Sequence, residues 1–318
     1  MRETPWVATE LGTFAGVPRA TAENRWHARA AIVGLPFDMG TNPARIGCRQ
    51  GPDHIRRSSS PDRRFLDHSP RDLLRELAVV DFGNVAVVPS RVEESFARIE
   101  AAVGEVLATG AVPVTLGGDG SVSLPVLRAA HARLGPLAVL HVDAHTDAFD
   151  VPGTGRYTTA TTFLRAEEEG LLATVVHVGA RGLGLAPRAE VLGTRGLHQV
   201  ITTDELCAAG PAEVAARVRE ALGDRPAYLC WDMDFFDPAS APGVAAPEWG
   251  GPDTRTCLDF LRALAPLSPV VADINTVSPP HDSSGLTGNL AARVVFECLN
   301  LIGPPVRAAE PAGRSSGA

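Results

Sequence analysis

The chain has 318 residues, of which 29 are basic and 37 acidic, giving a formal net charge of −8 with 45% hydrophobic residues. All 29 basic residues are arginine, which excludes lysine chemistry: Schiff bases, pyridoxal-phosphate anchors, Walker-type phosphate loops and Ser–Lys dyads. The acidic balance argues against nucleic-acid binding, which runs on clustered positive charge, and no apolar run approaches the roughly 18–20 residues that span a bilayer.

Residues 1–28 have weak periodicity and read as a loose N-terminal arm without a secretory pattern. From there, short apolar runs recur at 31–35, 77–80, 111–116, 137–142, 174–178, 197–201, 227–231 and 269–272. Continuous apolar runs of that length fit strands buried on both faces. Helical spacing falls between most of them, most clearly over 93–107 and 212–222. Strands alternating with helices predict a parallel α/β sheet, open or closed, with its site in the loops after the strand C-termini. The domain is expected over 29–303, with a Pro-, Gly- and Ser-rich disordered tail over 304–318. The five cysteines (Cys48, Cys207, Cys230, Cys257 and Cys298) are scattered, without a CxxC pair, as in reduced cytoplasmic proteins. The Arg-, Ala-, Gly- and Pro-rich composition fits a GC-rich bacterial genome.

Acidic clusters stand at two predicted strand ends. In His141-Val142-Asp143-Ala144-His145-Thr146-Asp147, side-chain alternation on an extended segment puts Asp143, His145 and Asp147 on one face. Asp232-Met233-Asp234 repeats the pattern after the 227–231 run. A single aspartate there is commonly a helix cap. Two such clusters bury several like charges, which is costly without a cation, and no arginine adjoins either in sequence. Four aspartates and one histidine suit Mn²⁺ better than structural Zn²⁺.

These motifs come in a recognisable order. Gly34-Leu35-Pro36-Phe37-Asp38, Gly47-Cys48-Arg49-Gln50-Gly51-Pro52 and Ile55-Arg56 are followed by Leu116-Gly117-Gly118-Asp119, HVDAHTD, Val178-Gly179-Ala180-Arg181-Gly182 and DMDFFDPASAPG. The chain resembles the ureohydrolases (arginase, agmatinase, guanidinobutyrase, formimidoylglutamase) over residues 30–302, nearest the agmatinase-like branch. The resemblance implies a three-layer arginase/deacetylase-type α/β fold around an eight-stranded parallel sheet. It further implies a binuclear Mn²⁺ centre whose bridging hydroxide attacks a small-molecule guanidino substrate, giving urea and an amine. A cytoplasmic homo-oligomer, trimer or hexamer, with no nucleic-acid or membrane partner, is expected. Carried over by position, Asp143 and Asp232 bridge both ions, Asp147 binds the first, and His145 and Asp234 bind the second. Asp147 and Asp273 take catalytic roles, and Asp273, Thr159 and Glu248 contact substrate.

The sequence departs from the family pattern at three places. The first-site histidine of Gly-Gly-Asp-His is Gly120, leaving Asp143, Asp147 and Asp232 for an ion that is weakly held or absent. The loop histidine of His-Gly-Thr-Pro-Phe is Thr159, which cannot shuttle protons near neutral pH. The guanidinium-binding glutamate aligns with the shorter Asp273. Among the remaining histidines, His141 and His177 read as satisfied core residues, His198 carries no signal, and His281 is a candidate for facing the pocket. Specificity is expected from loops 149–162 and 242–252. Two readings stand: a hydrolase of a linear guanidino compound, agmatinase- or guanidinobutyrase-like, and a catalytically impaired homologue kept for metal binding, ligand binding or assembly.

Overall fold

Apolar runs become strands here because helices cover both faces of the sheet they build. The computed structural model describes residues 12–88, 90–150, 153, 155–182 and 196–302, and the backbone of 6–7. In chain order the elements are β1 (Trp6–Val7), β2 (Ala30–Gly34), α1 (Gly51–Ser58), α2 (Leu73–Glu76), β3 (Val80–Val85), α3 (Val92–Ala108), β4 (Val112–Leu116), α4 (Ser123–Leu134) and β5 (Leu137–Val142). They continue with α5 (Thr162–Glu168), β6 (Leu172–Ala180), β7 (His198–Thr202), α6 (Thr203–Ala209), α7 (Pro211–Leu222), β8 (Ala227–Asp232), α8 (Thr254–Ala263), β9 (Val271–Asn275) and α9 (Leu286–Leu301). The spatial strand order is β1-β3-β2-β4-β9-β8-β5-β6-β7. Strands β2 to β9 are the expected eight parallel strands. A ninth, β1, is added antiparallel at the edge, Trp6 opposite Val85.

Each sheet face has its own apolar core. On one side α3, α4 and α5 bring Phe96, Ile99, Val103, Leu127 and Phe163 against Val33, Val139 and Tyr228. On the other, α1, α7, α8 and α9 bring Ile55, Val214, Phe260 and Val294 against Ile32, Leu140 and Trp231. Local signals agree with these bounds. Helix α3 opens on Glu93 and Glu94, favourable at the positive end of the helix dipole. Helix α7 opens on Pro211 and stops at Gly223, whose φ of 60° suits glycine.

Three expectations shift. Residue Leu77 closes α2 and Ala78 turns with φ 44°, so the strand begins at Val80 and runs to Val85 rather than occupying 77–80. The 269–272 run enters its strand only at Val271 and continues to Asn275. The arm is docked rather than loose where described: Phe14 is fully buried, packs on Phe296 at 5.5 Å, and its backbone NH donates to Asp81. It lacks periodicity because short 3₁₀ turns hold it in place. The tail lies outside the described residues.

An ion pair fixes α1 to β3. Arg56 donates from Nε and Nη2 to the two Asp81 oxygens at 2.9 Å, and from Nη1 to Asn84, with both charged side chains at most 2% exposed. Removing one partner strands a buried charge, so Arg56→Ala is expected to cost about 3–5 kcal/mol, read from the urea unfolding midpoint.

Candidate metal centre

Strands β4, β9, β8 and β5 lie side by side in the middle of the sheet, and the candidate residues stand just past their C-terminal ends. After β4 the chain passes so close to its neighbours that a Cβ on Gly118 would meet the Phe37 carbonyl oxygen at 1.6 Å, and one on Gly117 would meet Asn275 Cβ at 2.5 Å. Only glycines permit that approach. They deliver Asp119, which caps the 3₁₀ turn 120–122 through Ser121 N at 3.1 Å and accepts from Met39 N at 2.6 Å.

The DxHxD and DxD spacings do bring their side chains together, but not by strand alternation. Strand β5 ends at Val142, and residues 143–145 form bends. Asp143 accepts from His145 N at 2.5 Å, and Asp147 adopts a φ of 46°. Such left-handed non-glycine residues are concentrated at functional sites. Asp232 is the last residue of β8 and caps the 3₁₀ turn 233–235, accepting from Asp234 N at 2.7 Å. These turns place His145 Nδ1 3.0 Å from Asp143 and 3.3 Å from Asp234. Ligand atoms of Asp143, His145 and Asp234 lie within 4.8 Å of one another, as do those of His141, Asp143 and Asp147.

The donor set fits a divalent cation. Asp143, Asp147, Asp232 and Asp234 are all buried, and among the described residues none pairs with an arginine. Burial, then repulsion by neighbouring aspartates, pushes Asp147 and Asp232 well above the usual carboxylate range and Asp234 above it. Burial also acts on Asp143, but His141 and His145 outweigh it and hold that carboxyl well below. Burial opposes the charge on His145, yet Asp234 and Asp143 raise it well above 6.5. Asp119 is pushed up to about 6 by burial. A set whose ionisation is costly when empty is one that a cation relieves.

This gives a signed pH dependence. Without metal, the raised aspartates hold protons in the folded state above 3.8, where the unfolded chain has released them, so stability falls as pH rises through that value toward the raised ones. His145 acts in the same direction above 6.5, while the contribution of Asp143 is already complete above 3.8. The rise in Tm on adding Mn²⁺ is therefore expected to be larger at pH 8 than at pH 5.5 in differential scanning calorimetry.

A cavity of about 150 Å³ opens over the centre, walled by Asp38, Asp119, His145, Asp147, Asp232 and Asp234. Phe149, Thr159 and Ala160 line one side, and Ala245 and Ala246 another, so both expected specificity loops reach it. Gly120 lies behind two of the lining residues: a Cβ there would sit 3.0 Å from Asp147 Oδ2 and 3.8 Å from Thr159 Cβ.

Two expected substrate contacts stand elsewhere. Asp273 lies within β9, opposite Thr115 of β4 and Cys230 of β8, fully buried and away from the cavity wall. It accepts from Thr115 and Ser123 at 2.5 Å and Tyr228 at 2.9 Å. The residue that β9 delivers to the cavity is Thr276, three positions on, with φ 66° and its hydroxyl donating to Asp232. Glu248 is likewise outside the lining: its carboxylate accepts from Trp249 N at 3.2 Å, and its carbonyl is held by Arg181. His281 does not line the cavity either. Asp38 and Asp119 were legible as aspartates ending apolar motifs, but no spacing rule gave them a role; Thr276 had no signal.

A profile of the arginase family matches residues 28–300. The chain belongs to the arginase family. It is 37% identical to a guanidinopropionase of Pseudomonas aeruginosa, over 98% of each chain. It is 36% identical to a mitochondrial agmatinase of Gallus gallus, over 85% of this chain and 80% of that one. The structure of proclavaminate amidinohydrolase from Streptomyces clavuligerus superposes with a TM-score of 0.82 at 32% identity, covering 92% of this chain and 97% of that one. Membership in this agmatinase-like group makes the protein a hydrolase of C–N bonds in linear amidines. No helix among the described residues is long and apolar enough to cross a membrane.

Proposed function

We propose that the protein is a Mn²⁺-dependent hydrolase that releases urea and an amine from a linear guanidino compound, of the agmatinase or guanidinobutyrase kind. The observation that carries this reading is that His145, Asp147, Asp232 and Asp234 line one acidic cavity, with the Asp143 carboxylate just behind them. Asp143, Asp147 and Asp232 would hold one ion, and Asp143, Asp232, His145 and Asp234 the other. Bound divalent ions would lower the pKa of a water they hold and so supply a hydroxide nucleophile at neutral pH.

The side chains of this chain do the rest. Of the five carboxylates that wall the cavity, Asp147, Asp232 and Asp234 would be taken up by the ions and Asp38 pairs with Arg49, which leaves Asp119 to attract a planar guanidinium. The hydroxyl of Thr276 and the backbone NH of Asp234 both donate to Asp232 and fix its orientation. With threonine at 159, Asp147 Oδ2, 3.0 Å from where a Cβ on Gly120 would stand, is the atom placed to take the proton. Asp273 acts as a buried hydrogen-bonded anchor between β4 and β8 rather than as a substrate contact. A cytoplasmic homo-oligomer is part of the same proposal, supported for the compartment by five free thiols.

Glycine at 120 and threonine at 159, where the family pattern has histidines, favour one other reading, a catalytically impaired homologue that retains metal or ligand binding. A urea-release assay with Mn²⁺ on 3-guanidinopropionate, 4-guanidinobutyrate, agmatine and arginine separates the two. Urea from at least one compound is expected. Bound Mn²⁺ with no urea from any guanidino compound rejects the hydrolase in favour of the impaired homologue.

A further inference from the structure

Three histidines, His141 and His177 buried and His198 with its side chain 8% exposed, form a hydrogen-bonded line that ends on Asp143. They come from three adjacent strands: His141 on β5, His177 directly opposite it on β6, and His198 on β7. His141 Nε2 lies 2.9 Å from Asp143 Oδ2, and its Nδ1 lies 2.9 Å from His177 Nδ1. His177 Nε2 lies 2.8 Å from His198 Nδ1. Phe163 of α5 covers the first two rings, at 4.3 Å from His141 and 5.7 Å from His177. Glu167 of the same helix stands 3.7 Å from His198 Nε2. Histidine in a parallel strand core has no need to find two further histidines, one directly opposite and one two residues out of register; here each ring nitrogen between Asp143 and His198 Nδ1 is matched.

The direction of these bonds follows from what each group can do. An ionised Asp143 only accepts, so His141 Nε2 carries the hydrogen. With one proton per ring, His141 Nδ1 accepts and His177 Nδ1 donates; His177 Nε2 then accepts and His198 Nδ1 donates. Burial, with His141 and His198 as neighbours, keeps His177 neutral. All three bonds point toward Asp143. Its Oδ2 is engaged by His141, while Oδ1 faces His145.

We propose that His177 and His198 are positioning residues of the metal centre, holding His141 in the Nε2–H form that orients the Asp143 carboxylate for the ion. This role rests on the metal reading above. Outer partners of metal ligands commonly contribute about 10–100-fold in metal affinity.

Two measurements on the full chain test it. Long-range ¹H–¹⁵N correlation spectra of the imidazoles in metal-free protein are expected to show Nε2–H for His141 and Nδ1–H for His177 and His198. Nε2–H at His177 overturns the assignment. Mn²⁺ affinity, measured by competition with a chelating indicator, is expected to fall about 10–100-fold in His177→Leu and less in His198→Leu. His177→Asn, whose amide NH replaces the Nδ1–H donor, is expected to recover most of it. A folded His177→Leu with wild-type affinity overturns the role; if that variant does not fold, affinity in His177→Asn as low as in a ligand variant does so. Wild type that binds no Mn²⁺ overturns the metal reading and this role together, whereas tight wild-type binding unaffected by the variants overturns this role alone.

Discussion

Asp232→Asn is expected to cut metal affinity and urea release by more than the ~100-fold seen for outer partners of a metal ligand, while raising the Tm of the metal-free protein. The two effects have one cause. Asp232 is 2% exposed, and burial, then the charges of Asp234 and Asp143 beside it, raises its carboxyl well above the usual range. The amide keeps an oxygen to accept from Asp234 N and Thr276 and removes one negative charge from the cluster. Each kcal/mol of repulsion relieved is worth about 2–4 °C in a domain of this size. Calorimetry of the metal-free protein beside a metal titration reads both. A lower metal-free Tm would show that Asp232 is held by structural contacts that outweigh the repulsion.

Gly120→His is expected to tighten the metal on the Asp147 side and to raise the rate of urea release. Residue 120 follows Asp119 at the end of the β4 loop, and its Cβ direction points at Asp147 Oδ2, 3.0 Å away. That approach is tight, so Asp147 must yield by a few tenths of an ångström, which its place on the cavity wall allows. A neutral imidazole there adds a donor without adding charge. Affinity for the weaker ion is expected to rise by about 10–100-fold, the scale on which single contacts tune a metal site. Isothermal titration with Mn²⁺ checks it: two sites of separated affinity in the wild type, drawn together in the variant. Unchanged binding would mean that Asp147 already holds its ion with a full set of donors.

The parts of the fold legible in sequence were those with one physical determinant. A strand buried on both faces must be apolar throughout, so seven of the eight parallel strands overlap their runs, and the remaining one, β3, only touches its run at Val80. Helices α3 and α7 showed themselves through periodicity and, at their ends, acidic residues, proline and glycine. Parts fixed by contacts distant in sequence were not legible. The edge strand at Trp6–Val7 is two residues long, and Phe14 is buried by meeting α9.

The candidate site divides in the same way. The spacing of Asp143, His145 and Asp147 and of Asp232 and Asp234 pointed to candidate ligands that the fold brings together, although turns capped by their own carboxylates, not pleating, make them converge. Asp273 and Thr276 exchanged expected places because counting along β9 cannot say where the strand stops and the loop turns into the cavity. The histidine line was invisible for a related reason: His141, His177 and His198 are far apart in sequence and become partners only because β5, β6 and β7 lie side by side in the sheet.

The central claim is that a divalent ion held by the Asp143–Asp147 and Asp232–Asp234 turns does the chemistry. The most direct measurement is urea release from the best guanidino substrate after chelation and stepwise return of Mn²⁺. Activity is predicted to vanish on chelation and to return in step with the ion bound, and not to return in Asp232→Asn. Undiminished urea release from fully chelated protein would contradict the account.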